Sequence, residues 1–302
     1  MNLCLVGCGR WGKSYLNTIE KIDSINVNWI VIRKTIPKID SNYKIVYDLD
    51  KLLKEQHVDG VIIAAPPKAH FELAKICIKY HVPLLIEKPF TTSYQESKIL
   101  HEEFKKNRLI CVVGYQHLLS KKYNLIKKNT KNAGKIKNIY SIAISEGPFR
   151  KDVSVVRDWG SHEVALALDL FEEIPKLIEI KKVKKNYTNI YKGLFNLQMQ
   201  FSGKRYFNSF FGNQSSIKKQ ELIVEYDQGL IFQDKLSQYG NVTISNSKFL
   251  NLKEIIEINT LPLEASLKIF YNKVENSSYF ANTRLSLMVN KVLDQIEVKL
   301  RS

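Results

Sequence analysis

Cysteine is scarce: Cys4, Cys8, Cys77 and Cys111 are the four in 302 residues, and no two stand at C-x-x-C spacing. That excludes a disulfide framework and a zinc site, both of which need closely paired thiols, and the four read as small buried hydrophobes. No apolar run approaches the roughly 20 residues that cross a bilayer, so no membrane partner is expected. The opening stretch MNLCLVG has neither a basic leader nor a cleavage site, which predicts a cytoplasmic protein. Acidic residues are outnumbered, 30 against 46 Lys and Arg, leaving a net charge of +16. The excess lacks the form that nucleic-acid binding takes. Its lysines are scattered in short clusters such as Lys181, Lys182, Lys184 and Lys185, with no long basic tail and no stripe interleaved with aromatics. No nucleic-acid partner is expected, and the charge either reflects coding bias or provides a field that favours phosphorylated small molecules. Internal repeats and low-complexity linkers are also missing.

What is present is an α/β pattern long enough for two domains. Over residues 1–117 short apolar strands alternate with amphipathic helices, with strands expected near 2–6, 25–32, 44–46, 60–67, 84–86 and 108–115. Six strands with helical crossovers predict a Rossmann-type, doubly wound parallel sheet that binds a dinucleotide. In residues 118–302 the rhythm changes to alternating strands separated by turns. An α+β domain with a large, open, mostly antiparallel sheet is expected there, one face covered and the other free to pair with another subunit.

Three stretches carry chemistry. GCGRWG sets Gly7, Gly9 and Gly12 at G-x-G-x-x-G spacing between the first strand and its helix, so the loop with Cys8, Arg10 and Trp11 is the candidate pyrophosphate cradle. An acidic residue closing the second strand would select NAD; Ile32-Arg33-Lys34 stands there instead. Two cations suit a 2′-phosphate, which favours NADP over NAD, although Arg33 and Lys34 are equally ordinary solvated charges in a lysine-rich chain. LLIEKPFTTS drives an apolar strand into Glu87, Lys88 and Pro89, an ending that a merely space-filling strand has no need of. In RDWGSHEVALALDL, Asp158 and His162 are four apart at a helix start and share a face, so a titratable imidazole has a carboxylate one turn away.

GCGRWG, DGVIIAAPPKAHFELA, EKPF, VGYQH and DWGSHEVALALDL, in this order, resemble the glucose-fructose oxidoreductase and inositol dehydrogenase (Gfo/Idh/MocA) family. The resemblance implies an NAD(P)-dependent oxidoreductase acting on a hydroxyl or keto carbon of a sugar, cyclitol or nucleotide sugar, assembled as a homodimer or homotetramer through the second-domain sheet. By it Lys88 and His162 manage the proton, Asp158 positions His162 or substrate, and Glu87 orients Lys88. Ala65, Pro66 and Pro67 shape the floor under the nicotinamide, with His70 near the cofactor or simply structural. The two domains are expected to bring Lys88 and His162 to one cavity.

Departures from the pattern matter. Ala165 stands where many relatives carry a further aspartate. In GYQHLLS the family's arginine is missing, and His117, beside Tyr115 as a substrate contact, is either its substitute or a surface residue. Arg150 and Arg157, in EGPFRKDVSVVRDWG, either grip the diphosphate of a nucleotide sugar or belong to a solvated loop. Two other readings stay open: a redox-neutral enzyme whose bound cofactor cycles, and a non-catalytic dinucleotide-binding regulator.

Overall fold

The computed structural model describes residues 1–33, 42–120, 123–124, 126–128, 134–183, 189–227, 230–234, 241–245, 252–257 and 261–301. They form two compact units, Met1–Gln116 with Leu263–Asn290, and His117–Pro262 with Lys291–Ser302.

The first unit runs β1 (Asn2–Val6), α1 (Arg10–Ile19), β2 (Asn26–Val31), β3 (Lys44–Val46), α2 (Leu49–Glu55), β4 (Gly60–Ile63), α3 (His70–Lys79), β5 (Leu84–Glu87), α4 (Tyr94–Lys106) and β6 (Cys111–Gly114). All neighbours are parallel, in the order β3-β2-β1-β4-β5-β6. This is the expected doubly wound sheet, and its strand order reverses between β1 and β4, where such folds hold their ligands. The central strands are apolar throughout because helices cover both faces, and Val61, Ile62 and Ile63 have no exposed surface. Helix α4 is capped by Ser93, whose Oγ accepts from the Glu96 amide at 3.2 Å. The Glu96 carboxylate reaches back to Thr92, accepting from its amide and hydroxyl at 3.1 Å each.

The chain returns to this unit near its end, through α7 (Pro262–Glu275) and the start of α8 (Thr283–Arg301). A plain division at 117 placed that return in the second domain. The physical reason for it is the edge strand β6, whose free backbone groups need covering. Phe280 O accepts from the Cys111 amide at 2.9 Å. The Asn282 side chain then acts as a short strand, accepting from the Val113 amide at 2.7 Å and donating to the Val113 carbonyl at 3.0 Å.

In the second unit α5 (Gln116–Leu119) leads to β7 (Ile136–Glu146), a π-helical turn (Val156–Gly160), α6 (Ser161–Phe171), β8 (Leu177–Lys182), β9 (Leu194–Phe201), β10 (Arg205–Gly212), β11 (Gln214–Tyr226), β12 (Leu230–Asp234), β13 (Asn241–Ser245) and β14 (Leu252–Glu257). The eight strands lie in the order β14-β13-β12-β11-β7-β10-β9-β8. Every neighbouring pair is antiparallel except β7 with β10. Alternation along β9 and β10 buries Phe195, Leu197, Met199, Phe201, Phe207 and Phe211 on one face. Helix α6 packs on that face, and a Cβ at Gly160 would stand 3.1 Å from the Phe211 ring.

Candidate functional site

The glycine turn after β1 shows what each of its glycines is for. Gly7 has φ +91°, a conformation that side chains resist, and a Cβ on it would lie 2.9 Å from the backbone of Ala64 and Ala65. At Gly12 a Cβ would stand 2.2 Å from the Gly7 carbonyl oxygen, so helix α1 could not seat against β1. Gly9 differs. Its φ is −77°, and a Cβ there would meet no atom within 4 Å. Neither backbone nor packing asks for glycine at position 9, and the open space above it fits a ligand that approaches the main chain. Gly9 is also the N-cap of α1 and supplies no side-chain cap, and the first turn has no acidic residue, so its amides are left for an anion. Arg10 and Trp11 are exposed at this helix start, while Cys8 is buried and its thiol is pushed up by that burial. Arg33 is exposed just past β2; Lys34 lies outside the described residues. The site thus fits a dinucleotide.

The strand end after β5 is built from the inside. Glu87 is 4% exposed and Lys88 8%. Glu87 Oε1 accepts from the Tyr15 hydroxyl at 2.7 Å and from the Gln116 amide at 2.8 Å. Burial pushes the Glu87 carboxyl above its ordinary range, against the pull of these two donors and of neighbouring Lys88; the same burial holds the Tyr15 hydroxyl well above its usual value. Tyr15 counts in the sequence as one of the apolar residues of α1. The signal that it does more is its hydroxyl, which needs a partner once the ring is inside. His70 has no exposed surface, and its two ring nitrogens lie 2.8 Å from Pro89 O and 2.9 Å from Ala65 O. It clasps the Ala65-Pro66-Pro67 loop after β4 to the loop after β5, so it joins the two segments expected to frame the nicotinamide. Tyr115, expected to touch substrate, sits instead in the interior at 1% exposure, with its hydroxyl bonded to Ser286.

In the second unit His162 is the second residue of α6, and Asp158 lies in the wider π-helical turn before it. His162 Nδ1 is 3.2 Å from His117 Nδ1, the rings meeting edge-on at 68° with centroids 5.0 Å apart. Of the two readings of His117, the surface residue gives way to a half-buried partner of His162. Arg150 closes on Asp152 through Nε at 3.0 Å and Nη2 at 2.6 Å, and its Nη1 is 3.7 Å from Asp158. Arg157, expected in a solvated loop or on substrate, is spent on α8. Its Nε and Nη2 bond Glu297 at 3.1 and 2.8 Å, and Nη2 bonds Asp294 at 2.5 Å. Only Nη1 is left over, buried and with no hydrogen-bond partner among the described residues.

Residues 1–115 match the family model GFO_IDH_MocA, described as an oxidoreductase family with an NAD-binding Rossmann fold. Over these residues the chain is similar to that family. Among curated proteins, 4-carboxy-2-hydroxymuconate-6-semialdehyde dehydrogenase of Sphingobium is 26% identical over 120 residues, 38% of each chain. Inositol 2-dehydrogenase 2 of Saccharopolyspora erythraea is 22% identical over 178 residues, 55% of this chain and 52% of that one. The chain therefore spans about half or less of the length of these relatives. The solved UDP-N-acetylglucosamine 3-dehydrogenase GnnA of Acidithiobacillus ferrooxidans has a TM-score of 0.84 at 18% identity, covering 99% of this chain and 97% of that one. At that identity the likeness establishes a shared fold alone.

Proposed function

We propose that this chain is an NAD(P)-dependent oxidoreductase that interconverts a hydroxyl and a keto group on a sugar, cyclitol or nucleotide sugar. The observation that carries the reading is the glycine turn: two glycines are demanded by the protein's own backbone, and the third only by something that lies on it. The relatives' inositol and UDP-N-acetylglucosamine activities support the substrate class.

A bound nicotinamide supplies the hydride acceptor or donor. The chain supplies the rest. The amides at the start of α1 hold the pyrophosphate, and Arg33 takes the adenosine ribose, with NADP favoured because no carboxylate closes β2. Lys88, fixed at the end of β5 by its neighbour Glu87, hydrogen-bonds the reacting oxygen, and His162 moves its proton with Asp158 beside it. Arg150 is the candidate substrate cation of the second unit, and in Arg157 only Nη1 is left for that role, the rest of the guanidinium being bound to Glu297 and Asp294. The open face of the eight-stranded sheet, where Tyr140 and Ile217 are exposed, pairs with a second copy.

The test is to identify the dinucleotide that copurifies by mass spectrometry, then to follow reduced-nicotinamide absorbance over a panel of cyclitols and nucleotide sugars. Lys88→Ala and His162→Ala are each expected to lower kcat by about 10²- to 10⁴-fold, the usual worth of a positioned acid or base. Full turnover in Lys88→Ala on the substrate so found overturns the assignment.

A further inference from the structure

The turn that carries Asp158 is wide, and the residues that flank it do not favour helix. A π-helical turn holds one residue more than an α-helical turn, and such turns are rare. Val153, Val155 and Val156 lead into this one and Gly160 closes it, all weak helix formers. Its bracing comes from other elements instead. Gly160 abuts β10, where a Cβ would stand 3.1 Å from the Phe211 ring. The start of the turn is bonded to the end of α8. Ser154 Oγ donates to Glu297 Oε1 at 2.8 Å and accepts from the Arg157 amide at 3.2 Å, while Ser154 O accepts from the Asp158 amide at 2.8 Å. The Arg157 side chain adds three bonds of its own, two to Glu297 and one to Asp294.

We propose that Arg157 is a positioning residue that holds this turn in its wide form and so sets where Asp158 stands against His162. This rests on the reading of those two as the proton-handling residues. If the turn closed to α-helical width, the residues entering it would rotate by about 100° around the helix axis relative to α6, and Asp158, inside it, by part of that. Catalytic groups work only when held within roughly 0.5 Å and 10–20° of their productive geometry. A fraction of the slip is enough to spoil the arrangement. Arg157 opposes the slip directly, because it lies inside the segment that would turn and is itself tied to α8.

Arg157 suits this work better than it suits a substrate. Its side chain is 12% exposed, and the Nε–Nη2 edge that would fork onto a phosphate is filled by two carboxylates. Only Nη1 is left, buried and without a hydrogen-bond partner among the described residues. The planar fork is what the tie requires. A lysine keeps the charge, but its point ammonium does not span Glu297 and Asp294 with the same geometry.

The test compares Arg157→Lys and Glu297→Gln with the native full chain. Without any substrate, amide hydrogen exchange over residues 156–161 is expected to quicken on the order of 10-fold in each variant, and the imidazole ¹⁵N shifts of His162 to move. On the substrate identified by the panel above, kcat is expected to fall by about 10- to 100-fold, with KM and the dinucleotide Kd unchanged. The double variant is expected to lose no more than the worse single one, because both cut the same tie. A raised KM with kcat kept in Arg157→Lys overturns the proposal and returns Arg157 to the substrate. So does a lowered melting temperature with native exchange at 156–161, native His162 shifts and native kcat, which makes the tie a matter of stability alone. Should either variant fail to fold, Asp294→Asn, which touches one bond of the tie, is read in the same way. If exchange and the His162 shifts respond but His162→Ala keeps full turnover, the placing of the turn by Arg157 stands and the proton-handling reading of His162 fails.

Discussion

The Tyr15 hydroxyl donates to Glu87 Oε1 at 2.7 Å, across 72 residues of chain, inside the first unit. It fastens the helix behind the glycine turn to the strand end that presents Lys88, so the part of the unit that fits a dinucleotide and the part that carries the candidate acid share one buried carboxylate. Gln116, two residues past the end of β6, completes the set. A buried charge held by two neutral donors is a poor stabiliser. Its presence at this place is what a site needing a fixed lysine would retain.

Glu87→Gln keeps an acceptor for Tyr15 and Gln116 and removes the charge. Burial raises the Glu87 carboxyl in the folded chain above its unfolded value, so the folded state binds a proton at pH values where the unfolded state has lost it. Its contribution is then present at acid pH and lost as pH rises from the ordinary carboxylate range through the folded value. Denaturant unfolding of both proteins between pH 4 and 7 is expected to show the native chain losing ground to Glu87→Gln as pH rises. A constant difference across that window would refute the buried-charge account.

The three glycines are expected to separate cleanly. Gly7→Ala and Gly12→Ala, which meet backbone at 2.9 and 2.2 Å, should each cost about 1 to 3 kcal/mol of stability or prevent folding. Gly9→Ala should leave the melting temperature nearly unchanged, within about 0.5 kcal/mol, and weaken dinucleotide binding measured by fluorescence titration. Unchanged binding in Gly9→Ala would mean that the space over position 9 is not where a dinucleotide lies.

The returning segment is expected to be part of the first unit's stability. Phe270 has no exposed surface, and a Cβ at Gly60 would stand 2.8 Å from its ring, so the ring occupies the place a side chain on β4 would take. Phe270→Ala should destabilise by about 3 to 5 kcal/mol, read by denaturant unfolding followed by Trp29 fluorescence in β2. A loss below about 1 kcal/mol would show that α7 is dispensable to that core.

Much of the first unit was legible because its signals are local. An apolar run such as GVII needs no knowledge of its neighbours to read as a buried strand, and G-x-G-x-x-G after a strand carries its own geometry. The second unit was legible as alternation but not as topology. The parallel pairing of β7 with β10 depends on which edges meet, and period-two patterning is silent on that. Among the site residues, charge alone could not separate Arg150 from Arg157. Arg157 is tied to α8, and Asp294 and Glu297 lie 137 and 140 residues further along the chain.

Residue order by itself determined the doubly wound sheet, the glycine cradle and the Lys88 strand end, because each follows from neighbours within a few positions and from the stereochemistry of the backbone. Folding decided the rest: that Asn282 would seal the edge of β6, that Tyr15 would lend its hydroxyl to Glu87, and that His117 would meet His162. Side-chain hydrogen bonds between residues far apart in the chain form only where folding brings donor and acceptor within about 3 Å, and no pattern along the chain encodes that distance.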